Sequence, residues 1–492
     1  MKNNKLKSYI LLFILAIVSA SCEQYLEESP DDRLVLDSVD KAAKLVANSY
    51  SQGGYAFTDM YTDLAGPLGV PNADGVVLDA GGNTIRLQDL QTYTWDNVTA
   101  IFQDTPTFFW NQTYEAIAHT NEVLAVIDNL EGDPEKRNAI KGEALISRAY
   151  NYFMLVNMFG MHYDNNASTN LGVPYITEPE TEFLPTYTRN TVAEVYDFVE
   201  KDLLDGLALI SDKFFSGTKK YHFTKKAAQA FASRFYLWKR DYENCIKYSN
   251  LFIDGNPDIY VKNGEDFVIS GSNAIAIQYA NPEELSNALV IQKTSNYQNY
   301  SLGFRLNSND VTALFTNPLS IGDIRNNPFN FTALEVNFFP KLFEYFFREN
   351  LSSTSGLPYH ISVEFKGEEV LLNRAEAYVL SGNQSAALAD INQLAVKRYN
   401  GTEYTDIAAI QSFYNASTPA DGILELILHE RKKEFWDHGL RWFDIKRHNR
   451  SVTHVLPVSE GGQTLTLTEN DLRKAVQIPE DAIALGLTPN PR

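Results

Sequence analysis

Apolar positions along this chain recur mostly at helical spacing. Val39 to Tyr50 (VDKAAKLVANSY) sets its apolar residues on one helical face. Phe108 to Leu130 carries Trp110, Tyr114, Ile117, Asn121 and Leu124 at i, i+4, i+7, i+11 and i+14, which predicts a long amphipathic helix. Asp133 to Gly160 predicts another, with Asp133 as N-cap, Pro134 at the first helical position and Gly160 just past the end. Thr191 to Ile210 predicts a third, opened by a Thr191/Glu194 capping box. Thr224 to Ile253 reads as two helices joined at Arg240-Asp241, and Gly367 to Tyr399 as two more turning at Gly382-Asn383.

The last two pairs overlay on each other at an offset of 142 residues. Ser233 matches Ala375, Tyr236 matches Tyr378, the two turns coincide, and Cys245 matches Ala387. Small residues at the crossing with a tyrosine in the groove resemble a tetratricopeptide hairpin, though the units are not in tandem. Two long stretches break the helical pattern. Residues 51–107 and 254–362 hold Gly, Pro, Asn and short β-like runs, with few cap signals. Tyr297 to Phe347 alone contains 12 Phe or Tyr in 51 residues, twice the chain average, and is dense in Asn. The fold class expected is mostly α: a tetratricopeptide-like scaffold of helix pairs, long irregular insertions and little β. Binding residues tend to lie on such insertions when a rigid frame holds them.

The N-terminus follows a different logic. Lys2, Lys5 and Lys7 precede an apolar run from Tyr9 to Val18, too short to span a bilayer comfortably. Ser19 to Cys22 (SASC) then resembles a bacterial lipobox, with Ser19 where Leu is usual. The reading is a lipoprotein signal at residues 1–21, acylation of Cys22, an acidic tether over 22–38, and one helical domain over 39–492. Several acyl chains on Cys22 would anchor the chain stably. The second cysteine, Cys245, reads as a small buried apolar residue, with no disulfide partner left. Removing residues 1–21, with three lysines and no acids, takes the net charge from −20 to −23. Nucleic acid is therefore an unlikely partner, because phosphate binding relies on Lys and Arg. A neutral polymer is not repelled.

Catalytic and metal motifs fail on spacing. There is no G-x-S-x-G, P-loop or G-x-G-x-x-G. The densest cluster, HERKKEFWDHGLRWFDIKRH (His429 to His448), starts like H-E-x-x-H, but Lys433 stands where the second ligand must be. Asn72 to Asn83 resembles a calcium loop, but Val76 occupies an oxygen-ligand position. No metal site or cofactor is expected. The cluster reads instead as a helix end and a helix start, with Gly439 just past the first helix, Arg431 paired to Glu434, and Trp436 and Trp442 packed inside.

The lipobox, GEALISRAYNYFMLVNMFG, GVPYI, TVAEVYDFVEKDL, LLNRAEAYVLSG, the ERKKEFWDHGLRWFDIKRH block and the ending QIPEDAI…TPNPR together resemble the SusD/RagB family, from residue 22 to 492. The resemblance implies a surface lipoprotein of the outer membrane that binds nutrients and caps a SusC-like TonB-dependent transporter. It implies four tetratricopeptide-like pairs, with the ligand site on the variable loops. The block residues Glu430, Arg431, Glu434, Phe435, Trp436, Gly439, Arg441, Trp442, Asp444 and Arg447 carry over as framework. His438 departs from the usual Glu, which puts a local ion pair in doubt.

The implied work is binding. A sugar's apolar face stacks on an aromatic ring and its hydroxyls need polar partners. Candidate contacts are Asp74, Tyr93 and Trp95 from the first insertion, and Tyr297, Tyr300, Arg325 and Asn326 from the second. Three other readings stay open: peptide capture by the same architecture, a protein scaffold with no soluble ligand, and a hydrolase. Loops that pair with backbone would favour peptide; turnover of a bound polysaccharide would favour the hydrolase.

Overall fold

The computed structural model describes residues 36–67, 85–182, 185–215, 217–264, 272–295, 297, 304–326, 341–348, 350, 352–354, 356–456 and 461–492. Helix α1 (Val39–Val46) is capped by Ser38, whose side chain accepts from the Lys41 amide. It stops short of the expected Tyr50 because the Ser49 hydroxyl takes the Val46 carbonyl at 2.6 Å. After α2 (Leu87–Tyr93), Thr105 caps α3 (Pro106–Val126). Helix α4 (Pro134–Phe159) starts at the expected Asp133 cap. From Ala139 onward almost every residue of α4 is buried, so it is the central strut of the molecule.

The Thr191/Glu194 capping box forms and opens α5 (Val192–Leu209). Helices α4 and α5 cross at two glycines. A Cβ on Gly206 would lie 2.5 Å from Ile146 Cγ1, and one on Gly142 would lie 2.7 Å from the Ile210 amide nitrogen. Neither position admits a larger residue without parting the helices. Arg148 then locks α4 to α5 by a two-pronged bond to Asp202, at 2.7 and 3.0 Å.

The overlaid hairpins are α6 (Lys225–Lys239) with α7 (Tyr242–Ile253), and later α10 (Gly367–Leu380) with α11 (Gln384–Ala395). Arg240 turns the first at φ 65° and Gly382 the second at φ 85°. Asp241 and Asn383 cap the returning helices. Ser233, Ala375, Cys245 and Ala387 are all fully buried, as close crossings require. The two hairpins also touch each other, for Asn373 on α10 donates to the Ser233 hydroxyl at 3.3 Å. The scaffold is tetratricopeptide-like, as the spacing predicted.

Between the hairpins, the second insertion contributes α8 (Ser272–Tyr279), α9 (Ser308–Leu314) and a three-stranded antiparallel sheet. Its strands are β1 (Asn287–Lys293), β2 (Glu344–Phe347) and β3 (Leu357–Lys366), in the order β1-β3-β2. Tyr345 of β2 faces Tyr359 of β3, and Ile291 of β1 faces Ser362. Strand β3 runs directly into α10, so the sheet is welded to the scaffold. The C-terminal third holds α12 (Ile407–Phe413), α13 (Pro419–Glu434), α14 (Leu440–Arg447), a hairpin of β4 (Val452–Val455) with β5 (Thr464–Leu467), and α15 (Glu480–Ala484). The main apolar cluster runs from Tyr50 to Leu487; α8 and α9 pack into a second one with Trp436, and α1 into a third with α3 and α4.

Candidate functional site

The densest chemical cluster in the sequence is a buried junction. Helix α13 ends at Glu434, five residues before the glycine expected to end it. Gly439 instead caps α14 in the left-handed conformation, φ 77°. A Cβ there would collide with the Tyr55 carbonyl oxygen and lie 2.8 Å from Thr58 Oγ1. Arg431 does not pair with Glu434 along the helix. It reaches across to Asp444 at 2.9 Å and Asn373 at 2.7 Å. Glu434 accepts from Arg325 and Arg398, each at 3.1 Å, and Glu430 accepts from Arg325 at 2.6 Å and from the Tyr399 hydroxyl at 2.5 Å. Arg447 bonds Glu376 and Asp444, and Arg441 grips Asp63 through two 2.9 Å bonds. Trp436 and Trp442 are buried. Burial alone would raise these carboxyls. The cations around Glu434 (Arg398, Lys366, Arg325) outweigh it and hold its pKa well below the usual range. Such a network leaves no group facing a ligand.

His438, where the family has Glu, contacts the Tyr279 hydroxyl at 3.3 Å. Burial and the neighbouring Lys341, Lys366 and Lys262 keep its pKa well below 6.5. Among the described residues there is no group of three His, Cys, Asp or Glu able to hold a metal.

Of the residues proposed for ligand contact, Asp74 and Tyr300 lie outside the described residues, as does Cys22. The structure does bring the two insertions together. Gly53 pairs with Thr294 and Pro67 with Phe304, and the Gly66 amide donates to the Arg305 carbonyl at 3.1 Å. Tyr93 and Trp95 sit at this seam, but inside it. Tyr93 is 1% exposed and stacks on both Phe304 and His454 at 4.0 Å. Trp95 is 2% exposed, stacks on His454 at 4.4 Å, and donates its indole N–H to the Tyr61 carbonyl at 2.9 Å. Tyr297 is buried under the Arg305 guanidinium, 4.7 Å from its ring centre. Arg325 is committed to Asp323, Glu430 and Glu434. These four side chains are packed rather than presented, so as placed they offer no free ring face or donor. Asn326 is exposed.

The open surface lies elsewhere. A cleft of about 420 Å³ is walled by Trp110, Tyr114, Tyr187, Glu180, Glu182 and Leu485. Its rings are mostly engaged: Trp110 packs on Tyr114 and Phe159, and the Tyr114 and Tyr187 hydroxyls already donate to Pro174 and Glu180. A second cleft, of about 560 Å³, lies within the second insertion, between α8 with its following turn and the sheet, and Tyr221 of the scaffold joins its lining. Tyr221, Tyr345, Ile277, Gln278, Asn281 and Ile361 are among its lining residues. Sequence reasoning missed it. Tyr345 falls in the aromatic-dense window, which was the usable signal; Tyr221 belongs to a scaffold loop, and nothing local marks it.

A family model described as starch-binding associating with outer membrane matches residues 24–237, and a SusD family model matches residues 349–483. A SusD-like protein P2 from Formosa agariphila is 22% identical, over 90% of this chain and 91% of its own. Among solved structures, a SusD superfamily protein from Bacteroides thetaiotaomicron superposes with a TM-score of 0.66 at 19% identity, covering 92% of this chain and all of that one. A protein described as a putative sugar binding protein from Bacteroides vulgatus gives 0.67 at 19% identity, covering 92% and 97%. A laminarin binding SusD-like protein gives 0.62 at 17% identity, covering 92% and 98%.

Proposed function

Because this chain belongs to the SusD/RagB family, we propose that it is a lipid-anchored protein of the outer-membrane surface that captures glycans and passes them to a SusC-like TonB-dependent transporter. The observation that carries the reading is the match, over 92% of the chain, to the fold of a laminarin-binding relative. The architecture supports it: rigid helix pairs hold two insertions against each other at the Gly53–Thr294 and Pro67–Phe304 pairings. Rings and amides on such a frame bind sugars without large ordering costs. The work proposed is recognition and transfer, with no bond cleaved.

Anchoring would rest on acylation of Cys22; among the described residues no helix is long and apolar enough to cross a membrane. The acidic tether then sets the domain off from the lipid surface. One observation favours peptide as a second class of ligand. Strand β2 is a sheet edge with Phe346 and Phe347 exposed, a shape that accepts an extended backbone.

The test is a binding screen of the mature protein against a panel of polysaccharides and of peptides by calorimetry. Saturable binding to a polysaccharide is expected. Binding to peptides alone would replace the glycan reading, and turnover of any bound polymer would reject the non-catalytic one. Mass spectrometry of the native protein should find acyl chains on Cys22, and a transporter barrel should co-purify with it.

A further inference from the structure

The cleft between α8 and the sheet of the second insertion differs in kind from the other open clefts. Its lining side chains, among the described residues, are all uncharged. The cleft beside Trp110 is rimmed by Glu180 and Glu182, and a smaller one at Asn48 by Glu115 and His119. In a chain with net charge −20, a wall without any charge is selective. It sets no desolvated carboxylate against a neutral ligand and offers no cation to an anionic one.

Its rings are also available. Tyr221 is 41% exposed, whereas most of the described tyrosines are buried. Tyr345 and Tyr359 are half-buried cross-strand partners, stacked at 5.4 Å and 19°. Tyr221 and Tyr345 line the cleft together. Gln278 and Asn281, from α8 and the turn after it, bring amides to the lining; the Asn281 side-chain oxygen accepts from the Glu283 amide at 2.9 Å.

The surface is longer than one sugar. Side chains two apart on a strand share a face. Phe347 therefore follows Tyr345, and Leu357 follows Tyr359, along the same side of the sheet. Both are more than half exposed, at 55% and 65%. The apolar strip runs out of the cleft along the β2–β3 edge, as a track for a chain rather than a pocket for a monomer.

We infer that the Tyr221–Tyr345 cleft, with Tyr359 beside Tyr345 on the same face of the sheet, is a binding site for a neutral polysaccharide chain. The rings stack on apolar sugar faces, the Asn281 side-chain nitrogen donates to a hydroxyl, and the strip through Phe347 carries the next residues. The inference rests on the glycan-capture reading and gives it an address.

The test uses the full-length protein, expressed with its leader and purified in detergent, with laminarin as the neutral probe and alginate as the anionic one. Tyr345→Ala and Tyr221→Ala should each weaken laminarin binding at least tenfold by calorimetry while the melting temperature holds. Tyr345→Phe should restore most of the affinity, because the ring remains. Glu182→Gln, in the other cleft, should leave binding unchanged. If laminarin binds the wild type and both alanine variants equally, the address is wrong while glycan capture stands. Tighter binding of alginate than laminarin would overturn the neutral-ligand claim. No binding of the wild type to laminarin, or to any neutral polysaccharide in the wider panel, would overturn both readings.

Discussion

Acidification should destabilise this protein well before its carboxylates titrate. Five histidines are lowered by burial: His162 and His360 with pKa about 4, His429 about 3, His438 well below 6.5, and His454 below 6.5. His429 shows the cause. Burial lowers it, Lys433 beside it lowers it further, and its ring nitrogens are occupied by the Leu314 carbonyl at 2.8 Å and the Tyr414 hydroxyl at 2.9 Å. In the unfolded chain each imidazole titrates near 6.5. Above that pH both states are neutral. Below it only the unfolded state binds the proton, so stability falls as pH falls. From pH 7.0 to 5.5 each such histidine costs about 1.2 kcal/mol. His222 runs the other way: burial lowers it, but its bond to Glu143 raises it more, so its contribution is full below 6.5 and is lost as pH rises. Between them these histidines, five lowered against one raised, contribute a loss of about 4–5 kcal/mol, a large part of the ~5–15 kcal/mol typical of a folded domain. Glu434, Glu376 and Glu430 do not enter, because their stabilisation disappears only below the unfolded carboxylate range. The assay is urea unfolding at both pH values and fixed ionic strength. His429→Gln, which keeps a donor for Leu314, should shrink the loss by about 1 kcal/mol. A wild-type change under about 1 kcal/mol, or an unaltered loss in the variant, would refute the reasoning.

Gly439→Ala should cost about 3 kcal/mol, from the left-handed backbone plus displacement of the Tyr55 carbonyl, measured as a drop in urea midpoint. Glu434→Gln should cost about 3–5 kcal/mol, because Arg325, Arg398 and Lys366 lose a buried counter-charge; a thermal shift of under a degree would refute this. Trp95→Ala should lower stability by about 3–5 kcal/mol as a core truncation, and a variant that melts like wild type while losing polysaccharide affinity would return Trp95 to the ligand site.

The scaffold was legible because its signals are local. Periodicity, the Thr191/Glu194 box, the Arg240 and Gly382 turns and the small-residue crossings each act within a few residues. The HERKKEFWDHGLRWFDIKRH block was legible as framework, yet its pairings were not. Arg431 finds Asp444 rather than Glu434 because the helix ends and turns back, which i,i+3 spacing does not reveal. The ligand surface was illegible for the same reason at longer range. Whether Tyr93 is presented or packed depends on His454, 361 residues away. The open cleft is assembled from Tyr221, α8 and Tyr345, on separate segments. Aromatic density marked the window that holds Tyr345, and tertiary partners decided which rings were left uncovered.

Arg325 sits in the second insertion, yet its guanidinium is plugged into Glu430 and Glu434 of α13. It works as a keyed fastener between a changeable surface and a constant chassis. Stretches on either side of such a fastener can be exchanged, lengthened or re-lettered while the chassis keeps its shape. A graft that preserves Asp323, Arg325 and the β3–α10 weld, and replaces only the exposed part of the insertion, should yield a protein with the same thermal stability and a different appetite.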